Sequence, residues 1–250
     1  MKLLLDIGNS RIKWACAEGG RLVGAAAAAV LPHGGAVLEE LLASWAVLQA
    51  PSGGVLGVSV AAPRIAREID DWVERHWACH LQWLTTPRAG GGIQIAYPQP
   101  AALGADRWAA MVAARHRGCL PACVVDCGTA VTLDAVDGAG RHLGGVIVPG
   151  LGAMRRSLTE RAHQLPAVGD GCIEALATDT PTGIRSGTLL GLAALIDGLV
   201  DRLAERSGLP LQPLLTGGDA ALLLPWLTRR YEHAPNLTLE GLAVLAEEGI

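Results

Sequence analysis

The chain has 250 residues, 50% hydrophobic and 18% charged, enough to bury a large core in one long domain or two small ones. That balance excludes a disordered chain. A net charge of −4, with basic residues scattered in short pairs such as Arg155-Arg156 and Arg229-Arg230, does not argue for a nucleic-acid footprint, which needs a basic face.

The first apolar run, Lys2 to Asp6, predicts a buried strand. Asp6 stops it far short of a signal segment, so none is expected, and no apolar run of about 18 uncharged residues predicts a membrane span. Gly8-Asn9 makes a turn, and Ile12 to Ala17 returns as the second strand of a hairpin, with Trp14 expected in the core. Ala25 to Pro51 follows no motif, except that Val37 to Leu48 reads as a helix with Leu38, Leu41, Leu42 and Trp45 on one face. Gly54 to Ala62 reads as a strand stopped by Pro63, and Ile65 to Trp77 as an amphipathic helix. Thr85 to Pro100 reads as a loop with an edge strand at Ile93 to Ala96, and its Gly-rich Ala89–Gly92 stretch as a mobile pocket entrance. A helix is expected from Ala105 to about Arg117.

Beyond it the opening theme returns. Ala122 to Asp126 is a strand, Gly128-Thr129 a turn, Ala130 to Val136 and Gly144 to Val148 further strands, and Gly150 to Arg161 a helix. Pro181 to Gly183 reads as a loop, Ser186 to Ser207 as a long helix, Leu211 to Thr216 as a strand, and Leu239 to Glu247 as a closing helix. Leu5-Asp6-Ile7-Gly8-Asn9-Ser10 and Val125-Asp126-Cys127-Gly128-Thr129-Ala130 share one form, apolar–Asp–x–Gly–Asn/Thr–small, 120 residues apart. Two related α/β halves follow, 1–117 and 118–250.

The six Cys, at 16, 79, 119, 123, 127 and 172, make no C-x-x-C and pair with no His at zinc-finger spacing. Cys119, Cys123 and Cys127 mimic a metal motif by their fourfold spacing, but Pro121 and Val124-Val125 place them in a loop and strand. Reduced structural thiols fit best, together with a cytoplasmic location.

Four elements carry chemistry. At Asp6-Ile7-Gly8-Asn9 a strand ends on a carboxylate and turns at once through Gly, whose backbone permits close approach of a phosphate. Asn9, Ser10 and Lys13 add donors, and Asp6, an acceptor only, acts on a triphosphate through Mg²⁺. One such turn reads better as an ordinary hairpin, but its recurrence at Asp126-Cys127-Gly128-Thr129 makes phosphate binding the better reading. Gly104-Ala105-Asp106-Arg107 opens a predicted helix. Asp106 is either a carboxylate favoured by the helix dipole or an acceptor for a substrate hydroxyl proton, and Arg107 either a surface charge or a fork for a substrate carboxylate. Thr216-Gly217-Gly218-Asp219 follows a strand. Alone it reads as a strand-to-helix turn with Asp219 as N-cap, and otherwise as a flat surface for adenosine.

These elements, in this order, resemble the acetate and sugar kinase/Hsp70/actin superfamily. With Tyr97-Pro98 and Gly144-Gly145-Val146-Ile147-Val148-Pro149-Gly150, the chain looks more closely like a type III pantothenate kinase. The resemblance implies actin-like ATPase (ribonuclease H-like) halves with a nucleotide cleft between them. It implies transfer of the ATP γ-phosphoryl group to the primary hydroxyl of pantothenate, the first step of coenzyme A biosynthesis. Residues Asp6, Ile7, Gly8, Asn9, Ser10, Arg11, Ile12 and Lys13 would bind ATP, with Thr129 adding a contact. Tyr97, Gly104, Ala105, Asp106 and Arg107 would line the pantothenate site, with Asp106 as general base. Asp126 would hold a monovalent cation, K⁺ or NH₄⁺, beside Mg²⁺ brought with ATP. Thr182 matches a substrate-contacting Thr that reaches across a dimer interface, with Thr180 a second Thr nearby. A cytoplasmic homodimer with neither nucleic-acid nor membrane partner is implied. The rival readings are a sugar kinase of the same fold, a Bvg accessory factor-type transcriptional regulator that retains the fold, and an Hsp70-like or actin-like switch. The last needs a partner domain for which the chain is short.

Overall fold

Asp6 and Asp126 each close the first strand of a five-stranded sheet, and the two sheets have the same plan. The computed structural model describes every residue except 31–35, 162–164 and 170. By their contacts the described residues fall into two compact units. The first holds residues 1–120, 140–142 and 236–250, and the second holds 121–139 and 143–235.

In the first unit, β1 (Lys2–Ile7) pairs antiparallel with β2 (Arg11–Glu18). The expected hairpin gains a third strand, β3 (Arg21–Val30), in the stretch that carried no sequence motif. Gly19 and Gly20 make that turn, both with positive φ (56° and 71°), as a two-residue hairpin connection requires. Helix α1 (Ala36–Trp45) buries Leu38, Leu41 and Trp45. Strand β4 (Val55–Ser59) then runs parallel to β1, and α2 (Pro63–Trp77) follows with Pro63 in its first turn, where a missing N–H costs nothing. A short β5 (Leu81–Trp83) completes the order β3-β2-β1-β4-β5.

Alternation along the strands divides the buried residues between two faces. One face packs Leu3, Leu5, Ile7, Ile12 and Val55 against α1 and α2, where Trp45 stands among Trp14, Trp72 and Trp77 with ring centroids 5.8–6.1 Å away. The other face is covered by α3 (Ala105–His116) and the last helix of the chain.

The Gly-rich stretch read as a loop holds two short strands. Strands β6 (Ala89–Gly90) and β7 (Ile93–Gln94) form a small hairpin seated on α3. Its glycines are required by packing: a Cβ on Gly91 would collide with Val112, and one on Gly92 with Arg115. Trp108 Nε1 donates to the Gly90 carbonyl at 3.2 Å.

The second unit repeats the plan. Strand β8 (Ala122–Cys127) pairs antiparallel with β9 (Ala130–Val136), β10 (His142–Pro149) lies beyond β9, and α4 (Leu151–Arg161) and α5 (Thr180–Ser207) follow. Helix α5 begins six residues earlier than the sequence pattern suggested, so Pro181 to Gly183 form its first turn and not a loop. Asp179 caps it by accepting from the Thr182 N–H at 2.9 Å, and Pro181 sits where no intrahelical donor is needed. Strand β11 (Gln212–Thr216) lies parallel to β8, and after α6 (Ala220–Leu223) the short β12 (Glu232–His233) gives the order β10-β9-β8-β11-β12. Leu189, Leu192, Ala193, Ile196 and Val200 of α5 pack on Cys123, Val125, Val131 and Leu133. Among the described residues α5 is the one helix long and apolar enough to cross a membrane, and this buried stripe is that of a core helix.

The last helix, α7 (Leu237–Glu247), belongs to the first unit, although a single cut after residue 117 would assign it to the second. A Cβ on Gly241 would overlap the Ala109 carbonyl, so Gly241 lets α7 lie directly on α3. Arg117 fastens the pair with two hydrogen bonds to Glu240, at 2.6 and 2.8 Å.

Candidate active site

In the first unit β1 delivers Asp6 to the sheet end, and the antiparallel register sets Lys13 directly opposite it. Direct cross-strand partners share a face, so a carboxylate and an ammonium stand together there. Gly8 N–H donates to the Arg11 carbonyl at 2.9 Å and closes the turn, while Ile7 and Ile12, both fully buried, anchor its base. Asn9 and Ser10 are exposed at the tip.

A second element meets this end of the sheet. Gly104 is the N-cap of α3, and Asp106 lies in the first helical turn, where the helix dipole favours its negative charge. Asp106 Oδ1 accepts from the Arg107 N–H at 2.8 Å, and a Cβ on Gly104 would overlap that oxygen. Arg107 is buried. Its Nη1 donates to the Tyr97 hydroxyl at 3.4 Å, and its guanidinium carbon lies 5.9 Å from the Tyr97 ring centre. The same ring stacks on His142, centroids 5.8 Å apart at 26°. Tyr97, Gly104, Ala105, Asp106 and Arg107 thus lie together in one cluster.

Val60 joins the two elements. Its N–H donates to the Ile7 carbonyl at 2.9 Å, and its Cγ1 lies 3.6 Å from where a Gly104 Cβ would stand. The turn after β1 and the N-terminus of α3 therefore meet beyond the carboxyl ends of adjacent parallel strands, where open α/β sheets place their ligands.

In the second unit Asp126 ends β8 opposite Thr132, and Gly128 N–H donates to the Ala130 carbonyl at 3.1 Å. Residue by residue the burial of 126–130 matches that of 6–10, with Thr129 and Ala130 exposed where Asn9 and Ser10 are. Two glycine segments press on this turn. Gly150 N–H donates to the Thr129 carbonyl at 3.1 Å, and a Cβ there would overlap the Gly128 carbonyl. Gly217, at φ +97°, lies so close that a Cβ would meet Asp126 Oδ1, while Asp219 N–H donates to the Cys127 carbonyl at 2.9 Å. Gly217 therefore serves this close approach. Asp219 stands at the N-cap of α6, but its side chain makes no capping hydrogen bond.

Comparison with known proteins agrees with this arrangement. The family model described as type III pantothenate kinase matches residues 2–202. A type III pantothenate kinase of Nitrosococcus oceani is 37% identical over 254 residues, covering 99% of this chain and 94% of the relative. The chain belongs to the type III pantothenate kinase family. Two solved structures share its fold. One, described as a Baf family transcriptional activator from Campylobacter jejuni, has a TM-score of 0.63 at 19% identity, covering 99% of this chain and 98% of that one. The other, an inorganic polyphosphate/ATP-glucomannokinase from Arthrobacter sp. strain KM, has a TM-score of 0.51 at 14% identity, covering 99% and 98%. The fold is the actin-like ATPase type, built from two related α/β halves.

Among residues expected of a type III pantothenate kinase, Thr182 lies in the second unit, in the first turn of α5, held by Asp179. Hydrogen bonds from the Thr182 N–H and hydroxyl hold the Asp179 carboxyl below its ordinary range. Burial, with the Asp126 and Asp219 carboxylates nearby, pushes the Cys127 thiol far up, so it stays protonated inside the motif and offers no thiolate. Val60, Thr86, Arg88 and His142 were not singled out from the sequence. Val60 is an ordinary strand-end residue, and the others meet the site only through the fold of residues 86–104 and the return of residues 140–142 to the first unit.

Proposed function

We propose that this chain transfers the γ-phosphoryl group of ATP to the primary hydroxyl of pantothenate, giving 4'-phosphopantothenate. The observation that carries the reading is the meeting, within one unit, of the Asp6–Lys13 turn and the Asp106–Arg107 helix start through Val60.

Phosphoryl transfer asks the protein mainly for positioning and charge stabilisation. Arg107 offers its planar fork to the pantothenate carboxylate, with the Tyr97 hydroxyl setting its orientation. Asp106 takes the proton of the substrate hydroxyl as that oxygen bonds to the γ-phosphorus and the bond to the β–γ bridging oxygen breaks, releasing ADP. The exposed turn tip at Asn9 and Ser10 and the Lys13 ammonium bind the phosphates, and Ile7, Gly8, Arg11 and Ile12 complete the ATP loop. Asp6, a carboxylate at the base of this turn, suits a hydrated Mg²⁺ carried by ATP, which would supply neutralisation of phosphate charge. Asp126, among the backbone oxygens of the second turn, is the seat for K⁺ or NH₄⁺, and Thr129 is a contact to ATP.

Helix α5 exposes Gly183, Gly187, Gly191, Ala194 and Leu195 along one side, a surface that permits close approach of another helix. With the family's habit of supplying a Thr across a dimer, it favours a homodimer in which Thr182 serves the partner's substrate. The proposed address is the cytoplasm, with neither nucleic acid nor membrane as partner.

The test is ADP formation by purified protein with pantothenate, with and without K⁺ or NH₄⁺, and a mass measurement of the product. Pantothenate-dependent turnover that requires the monovalent ion is expected, and ATP consumption with a sugar but not with pantothenate would sink the reading. Mixing inactive Asp106→Asn and Thr182→Ala proteins tests the dimer, since only shared sites recover activity.

A further inference from the structure

Residues 95–104 carry the proposed acceptor site from Tyr97 to Gly104, yet most of this stretch has no regular structure. Pro98 and Pro100 remove two backbone donors from Tyr97-Pro98-Gln99-Pro100, so carbonyls here need donors from elsewhere. They come from a short neighbouring segment. Arg88 Nη1 donates to the Tyr97 carbonyl at 2.6 Å and to the Ile95 carbonyl at 3.4 Å, and Nη2 donates to the Pro98 carbonyl at 2.6 Å. The Arg88 carbonyl accepts from Ile95 N–H at 2.9 Å. At the other end, the buried Thr86 hydroxyl donates to the Leu103 carbonyl at 2.8 Å, one residue before Gly104.

We propose that Thr86 and Arg88 form a two-point clip that presets the acceptor site, Arg88 governing carboxylate selection and Thr86 the placement of the base. Neither touches substrate in this reading, so both are positioning residues. Arg88 fixes the Tyr97 backbone. The Tyr97 hydroxyl meets Arg107, whose fork reads the carboxylate, and His142 stacked on the same ring limits its swing. Thr86 fixes Leu103, from which Gly104 and Asp106 follow directly. Arg88 is solvent-exposed, so an ordinary surface arginine is the alternative. Such an arginine would not occupy its planar fork with three carbonyls of one segment.

The inference rests on the pantothenate reading, and its test compares pantothenate with its amide, which lacks the carboxylate. Arg88→Ala is expected to raise the KM for pantothenate about tenfold, with kcat and the KM for ATP within about twofold. The KM for the amide should stay within about twofold of wild type. Thr86→Val, close in shape but without the hydroxyl, should lower kcat about tenfold for both compounds alike. Amide exchange at residues 95–99 should quicken in Arg88→Ala while α3 stays protected. Where Arg88→Ala fails to fold, Arg88→Lys carries the same comparison with an intermediate KM. Wild-type protein that forms product from neither compound overturns the functional reading, and the clip with it. An active wild type with Arg88→Ala unaltered, or weakened equally toward pantothenate and its amide, overturns the clip alone.

Discussion

The two units share a strand order, a hairpin and an Asp-x-Gly turn of matching burial, yet they furnish the turn differently. In the first, the residue opposite the aspartate is Lys13, and the neighbouring strand end leads through Val60 to a helix bearing Asp106 and Arg107. In the second, the residue opposite is Thr132, and glycines 150 and 217 close tightly on the turn. The turn aspartate thus stands opposite a cation in one copy, and in the other opposite a threonine with glycine backbone packed against it. The difference teaches that the repeat supplies a frame, while residues outside it decide what each copy does.

The comparison would break most visibly at the acid. Asp106→Asn is expected to lower kcat by about 10²-fold or more with the thermal midpoint unchanged. A near-normal kcat would remove the base from the first unit. In the second unit stability should respond instead. Gly217→Ala, at positive φ and with no room for a methyl group, is expected to cost about 1–3 kcal/mol in urea unfolding. Gly8→Ala in the first unit meets only the Arg11 carbonyl at 3.3 Å and should cost less, so equal losses would erase the contrast.

Smaller effects sharpen it further. Lys13→Ala should raise the KM for ATP about tenfold, whereas Thr132→Ala, at the matching place, should change it less than about twofold. The smallest effect is a pH dependence confined to the second unit. Burial pushes the Asp197 carboxyl up, but hydrogen bonds from the Thr228 N–H and hydroxyl and from Tyr231 more than reverse this and leave it below the ordinary range. A depressed carboxyl stabilises the fold above its unfolded value, near about 4, and that contribution disappears as pH falls through the folded value. The wild-type midpoint should therefore drop on acidification more than that of Asp197→Asn, measured by thermal melts from about pH 6 to about pH 3. Parallel curves would exclude Asp197.

Most strands and the duplication were legible because alternation and Asp-x-Gly punctuation are local signals. The cluster around Asp106 was legible in part, since Gly104 to Arg107 are contiguous and Tyr97 is near in sequence. What escaped was long-range. Strand β3 hid in an alanine-rich stretch of weak β character, although Gly19-Gly20 marked its turn. The first turn of α5 hid behind Pro181, which local reading takes for a loop. Gly91 and Gly92 looked like mobility because their reason, the surface of α3, is supplied by residues some twenty positions away.

The docking of α7 on α3 bears on what a shortened chain would keep. Residues 121–235 contain all of the second unit, whereas the helix bearing Asp106 and Arg107 needs Gly241 and Glu240 to cover it. Loss of α7 would therefore bare α3 and unseat the helix start at Asp106 and Arg107, while every residue of the second unit kept its own neighbours.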